Sequence, residues 1–131
     1  MACRPESAGR VTKKKEIEPL LPLTPAMFHI LLALADGEKH GYAILKEVAR
    51  RTEDKVRLST GTLYGNLARL ESAGWIAESN RRPEAVLDDE RRRYYRLTEL
   101  GREVAVAEAE RMEEALMQAR AKKLFRKPRL V

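Results

Sequence analysis

Between Ser59 and Gly74 the sequence sets Thr60, Thr62, Tyr64, Asn66 and Arg69 among small residues, Gly61, Gly65, Ala68 and Ser72. Thr and Tyr hydroxyls bind phosphate oxygens, an Asn carboxamide pairs bidentately with adenine, and a guanidinium does so with guanine. Further along, Arg81, Arg82, Arg91, Arg92, Arg93 and Arg96 cluster. Each offers a planar fork of donors that matches phosphate. Glu84, Asp88, Asp89 and Glu90 partly offset them. The chemistry on offer is recognition of a polyanion. A plainer reading of the arginine run is a solvated loop with local ion pairs worth little energy.

Bond-making chemistry finds no such support. The sequence has no G-x-S-x-G, no P-loop and no dinucleotide fingerprint, the local motifs that would announce catalysis. Cys3, His29 and His40 are too scattered for a metal site of recognised spacing. His29 sits in an apolar run and reads as a packed residue, His40 as a capping or bracing group. No enzyme activity, metal or cofactor is expected.

Composition agrees with a binding protein without defining one. The 131 residues carry 26 Lys and Arg against 20 Asp and Glu, a net charge of +6. That excess suits a polyanionic partner but does not establish it. Cys3 is the only cysteine, so no intramolecular disulfide can form and a reducing compartment is expected. The longest apolar run, Ile30 to Ala35, is too short to span a membrane, and no apolar signal core comes after the first basic residues. A cytoplasmic location is expected.

The elements that must position these groups can be read from caps and periodicity. Residues 1–23 read as a basic, partly disordered arm, a solvated segment or a contact to DNA backbone, with Leu20, Leu21 and Leu23 packing on the folded domain. A first helix is predicted from Pro25 to Asp36, capped by Thr24 and ended at Gly37. Met27, Phe28, Ile30, Leu31, Leu32 and Leu34 cover most of its circumference, so it must be buried on more than one side. A second copy of the chain is an economical source of that cover, through Phe28 and Leu31. A second helix is predicted over 41–51, with Ile44, Leu45 and Val48 inward and Lys46, Glu47, Arg50 and Arg51 in water.

The third helix is predicted to start after Ser59 and stop at Gly74, with Leu63, Leu67 and Leu70 on its core face. Two glycines inside it cost about 1 kcal/mol each relative to Ala. Either another protein segment packs on their face, or the face enters a groove of DNA. Asn66 points nearer the core side than a base reader should, and Arg69 is the better candidate. Strands are predicted near 75–78 and 92–97, joined by a long polar loop, with a third short strand at Val56–Leu58. A last helix is predicted over 99–123, capped by Thr98. Leu97, Leu100, Val104 and Ala107, then Ala105, Ala109, Met112, Leu116 and Ala119, repeat at spacings of 3 and 4, a coiled-coil-like seam that calls for a partner. Residues 124–131 form a basic tail.

The order helix, helix, helix, strand, strand, helix describes a mainly α fold with a small β-hairpin: a winged helix-turn-helix over 24–98 and then a dimerisation helix over 99–123. In that arrangement the later helix of the pair lies in the major groove. A protein-interaction module without specific DNA binding is the alternative, since winged helices also serve as adaptors.

The residues also resemble a known family. His40-Gly41-Tyr42, the run Ser59 to Tyr64 with Leu67, Arg69-Leu70-Glu71 and Gly74, and Arg93 to Thr98 with Gly101 together resemble the PadR family of bacterial transcriptional regulators, over about residues 24–115. The resemblance implies a winged-helix homodimer, usually a repressor, on double-stranded DNA. It implies that Thr60, Gly61, Thr62, Tyr64 and Gly65 face DNA and that His40 and Tyr42 begin the helix bracing them. The short C-terminal part resembles the family's smaller subgroup. No effector is predicted.

Overall fold

The computed structural model describes residues 16–79 and 93–126. Two compact units divide the chain, one of residues 22–105 and one of 1–21 with 106–131.

In the larger unit, Thr24 starts helix α1 (Pro25–Leu34) by accepting the Met27 N–H at 3.2 Å. Pro25 begins it without loss, because its missing N–H would have had no partner there. The other end is capped from outside. Lys39 Nζ donates to the Ala33 carbonyl at 2.8 Å, and Arg102 Nη2 to the Ala35 carbonyl at 2.9 Å. These cations satisfy carbonyls that a helix end leaves open. Gly37 then turns the chain at φ +151°.

Strand β1 (Lys39–His40) leads directly into α2 (Gly41–Arg51), whose cap is a histidine: His40 Nδ1 accepts the Ala43 N–H at 3.1 Å. After a turn comes α3 (Thr60–Ser72), then β2 (Ile76–Glu78), β3 (Tyr94–Leu97) and α4 (Glu99–Ala121). The strands form one antiparallel sheet in the order β1-β3-β2, with Lys39 opposite Tyr95 and Ala77 opposite Arg96.

The expected strand at Val56–Leu58 does not form, and Lys39–His40 fills that place in the sheet. The connector is spent on reversing the chain. Thr52 Oγ1 donates to the Val48 carbonyl and accepts the Val56 N–H, while Glu53 and Asp54 take positive φ of 53° and 64°. A left-handed pair of this kind ends a helix and leaves no extended edge.

The core is built from Ile30, Leu31, Leu34, Ile44, Val48, Leu63, Leu67, Leu70, Ile76 and Val104, each at most 2 % exposed. Burial stabilises each large side chain by about 1.5–3 kcal/mol. Glu47 departs from the sequence expectation. It is buried rather than wet, because Arg51 grips it through Nε and Nη2 at 3.2 and 2.6 Å and Lys39 approaches to 3.6 Å. A carboxylate can be buried when its charge is met this way, and in return Glu47 raises the pKa of Arg51.

His29 on α1 has the opposite situation. Its Nδ1 is buried with no hydrogen-bond partner among the described residues, and burial, with the Arg51 charge second, lowers its pKa. The folded state therefore favours neutral imidazole. That contribution is complete above the ordinary histidine pKa of about 6.5 and is lost as pH falls through the lower folded value. Stability should drop on acidification from pH 8 to 5, and His29→Leu should flatten that drop. Urea midpoints across the range check this, and equal slopes for the two proteins would contradict it.

The turn into α4 is tightly fixed. Thr98 Oγ1 donates to the Gly74 carbonyl at 2.6 Å and accepts the Gly101 N–H at 3.0 Å. Gly101 lies against the backbone carbonyl of Trp75, so close that a Cβ there would overlap its oxygen.

The smaller unit holds a 3-10 turn at Glu18–Leu20 and the later turns of α4. Ile17 is buried, as is Glu108, whose carboxylate takes a two-point contact from Arg111 at 2.6 and 3.1 Å. Among the described residues, no helix is long and apolar enough to cross a membrane.

Candidate nucleic-acid interface

The candidate surface lies within residues 22–105 and centres on α3. Ser59 caps this helix, accepting the Thr62 N–H at 3.1 Å and donating to Thr62 Oγ1 at 2.9 Å. Leu63, Leu67 and Leu70 anchor one face in the core. The opposite face presents Thr60, Gly61, Thr62, Gly65, Ala68, Arg69 and Ser72, all exposed. A Cβ built at Gly61 or Gly65 would meet nothing within 4 Å. No described segment of the chain packs over these glycines, so internal packing does not explain two residues that weaken the helix.

The polar residues of α3 divide by what they already hold. Arg69 is exposed and has no ion-pair partner among the described residues. Asn66 is half-buried, and its Nδ2 donates back to the Thr62 carbonyl at 2.9 Å. Part of its hydrogen-bonding capacity is therefore spent inside the helix, in keeping with its position near the core side. Tyr64 is also half-buried. Its hydroxyl oxygen would lie 2.7 Å from a Cβ placed on Gly41. Gly41 thus lets the phenol sit over the start of α2 and brace α3 against it. The motif alone assigns Tyr64 to DNA and does not reveal this packing; the available signal is the glycine between His40 and Tyr42.

At that same end, Tyr42 is 55 % exposed. Its ring lies parallel to His40 with centroids 6.5 Å apart, and Lys46 Nζ stands 5.0 Å from its centre. His40 packs edge-on to Tyr94 of β3 at 5.4 Å. One aromatic cluster thus ties the start of α2 to the sheet, and its outer ring carries a cation. Lys39, Lys46 and Arg50, with Glu47 among them, line an open groove along α2; of its cations, periodicity registers Lys46 and Arg50 only as wet residues.

On the sheet, Arg93 and Arg96 are exposed, with Arg93 Nε 3.7 Å from Glu78. Arg81, Arg82, Arg91 and Arg92 lie outside the described residues. The residues expected at a dimer contact separate. Leu31 and Val104 are fully buried within the chain, so they serve its core and offer no surface to a second copy. The packing of Gly101 on Trp75 seats the first turns of α4 in that core. Phe28 and Met112 are half-buried, and Leu116 is 52 % exposed.

Known proteins resemble this chain in sequence and fold. Residues 30–107 match the profile of the transcriptional regulator PadR-like family. Over 86 residues the chain is 38% identical to the transcriptional regulator Rv3488 of Mycobacterium tuberculosis, a stretch covering 66% of this chain and 74% of that one. A transcriptional regulator from Clostridium thermocellum of known structure is 30% identical, with a TM-score of 0.56 over 77% of this chain and 92% of that one. A PadR family transcription regulator from Clostridium difficile aligns with a TM-score of 0.62 at 24% identity, covering 75% and 97% of the two chains, a likeness of fold.

Proposed function

The chain belongs to the PadR-like family of transcriptional regulators, and on that footing we propose that it is a homodimer that binds specific DNA sequences and represses transcription. The observation that carries this reading is the exposed, side-chain-poor face of α3, with open space over Gly61 and Gly65 and, beside them, an exposed Arg69 with no ion-pair partner among the described residues. A helix enters the major groove by bringing its backbone near base edges, and missing side chains allow the closest approach.

Each group then has a task. Arg69 reads guanine, and Asn66 contributes weakly because it is bonded to its own helix. Thr60 and Thr62 hold phosphates and fix register. Tyr64 positions α3 through Gly41, while Tyr42, with His40 behind it, meets the backbone near the start of α2. Arg93 and the arginines at 81, 82, 91 and 92 extend the contact to flanking phosphates. Repression needs only occupancy, since a protein seated on a promoter excludes polymerase. The cytoplasm of a bacterial cell is where such a regulator meets its DNA.

The dimer reading rests on the later turns of α4. Val106, Leu116 and Met117 are 48, 52 and 60 % exposed, a costly display for one chain and a natural contact for two. A two-fold dimer places two α3 helices about 34–36 Å apart, one turn of DNA or a multiple of it. Hydroxyl-radical footprinting on DNA selected by the protein should therefore show paired protections related by a dyad. Leu116→Asp should separate the subunits, by light scattering, and abolish the paired pattern. A dimeric Leu116→Asp protein with an unchanged footprint would reject this helix as the contact, and a single protected patch from the parent would reject the dimeric reading.

A further inference from the structure

The net charge of the chain is not where the winged unit is. Residues 22–105 hold fourteen basic and thirteen acidic side chains, and are nearly neutral as a whole. Arg120, Lys122, Lys123, Arg126, Lys127 and Arg129 lie within residues 120–131 without a single acid. The preceding 119 residues contain twenty basic and twenty acidic groups, so the whole excess of +6 resides in the last twelve residues of the sequence.

The described part of this segment has a defined shape. α4 ends where Lys123 takes φ +60°. Lys123 N–H returns to the Arg120 carbonyl at 2.9 Å and Leu124 N–H to the Ala119 carbonyl at 3.0 Å. Phe125 folds back under Arg120, whose guanidinium lies 4.6 Å from its ring centre. Arg120, Lys122, Lys123 and Arg126 are all exposed, and none has an ion-pair partner among the described residues. A helix dipole favours a cation or two at this end. It does not call for four with no ion-pair partner among the described residues.

We propose that Arg120, Lys122, Lys123 and Arg126, at the end of α4, form a second, sequence-independent contact to the phosphate backbone of DNA and supply a large share of the salt-dependent affinity. The proposal rests on the reading that this protein binds DNA. Mobile counterions are released when cations neutralise phosphates, and that release sets the dependence of affinity on salt. The near-neutral winged unit then provides the preference for sequence, while the cations at the end of α4 provide attraction to any duplex.

The test is a salt series of anisotropy titrations, on the selected duplex and on a scrambled one. The proteins are the full chain and the variant Lys122→Gln, Lys123→Gln, Arg126→Gln. These side chains lie at or beyond the end of α4, and the helical signal and mass of the variant check that folding and assembly are kept. Each phosphate contact contributes about 0.9 to the slope of log affinity against log salt, so three cations in each protomer lower the slope by about 2.7 per subunit, about 5.4 for a bound dimer, on both duplexes. The ratio of affinities for the two should not change.

An unchanged slope with the sequence preference intact would overturn this contact and leave the regulator reading standing. Failure of the parent to bind either duplex would overturn both. A lowered slope in a parent with no preference would uphold the contact and reject sequence specificity. If the slope is unchanged but dimer mass falls, the segment pairs with the acidic run at Glu108, Glu110, Glu113 and Glu114 instead. If the slope is unchanged and binding to phosphatidylserine vesicles is lost, the partner is an anionic membrane. Either result would overturn the proposal.

Discussion

Gly65→Glu is expected to fold at least as well as the parent and to lose nearly all binding to DNA. A Cβ at Gly65 meets nothing within 4 Å, so a side chain can be added there without a clash at its first atom. Glu is a better helix former than Gly by roughly 0.5 kcal/mol or more, so the urea midpoint should hold or rise. On DNA the sign reverses. The carboxylate stands on the face assigned to the groove, where it blocks close approach and faces phosphate charge. A like-charge contact at an interface costs several kcal/mol, which corresponds to a loss on the order of a thousand-fold. Stability and binding must therefore move in opposite directions, which no general damage to the fold would produce. A well-folded Gly65→Glu protein that binds as the parent does would remove α3 from the interface.

The same substitution class gives the opposite result at Gly101. An Ala at an open helical site is normally favourable, yet Gly101→Ala should destabilise the protein severely. Its Cβ would overlap the carbonyl oxygen of Trp75, a backbone atom that cannot swing aside, and would also stand 3.0 Å from Leu97 Cδ1. Relief requires the first turn of α4 to lift from the strand, with loss of the Thr98 contacts to Gly74 and Gly101. Overpacking alone costs about 1–3 kcal/mol. With the broken hydrogen bonds, a total of about 3–5 kcal/mol is expected. Urea denaturation measures it directly. A midpoint within error of the parent would mean that Gly101 does not hold this close approach.

Much of this was legible in the sequence wherever one residue type has one local use. Thr24, Ser59 and Thr98 announced three helix starts, and each side chain accepts the N–H three residues on. Leu63, Leu67 and Leu70 announced the core face of α3. Its two glycines announced an anomaly, although the sequence could not say whether a neighbouring segment filled the space over them. Two-residue β1 was not legible, because Lys39–His40 has no period to detect and is a strand only through Tyr94 and Tyr95 across from it. The burial of Glu47 was hidden for a related reason. Its partners lie one turn along the helix, at Arg51, and on a different element, at Lys39. Val104 fitted a seam by spacing, but the approach of Gly101 to Trp75 turns it inward. Periodicity identifies an apolar stripe without telling which partner covers it.

The central claim for this regulator is that it prefers particular DNA and reaches it through α3. Anisotropy titration of the purified chain on DNA from upstream of its own gene, against scrambled competitor and across a salt series, decides the matter. Tight binding that resists competitor and weakens steeply with salt is expected. Equal affinity for the scrambled duplex at every salt concentration, on this DNA and on fragments selected from the whole genome, would contradict that preference and leave α3 without a base-reading role.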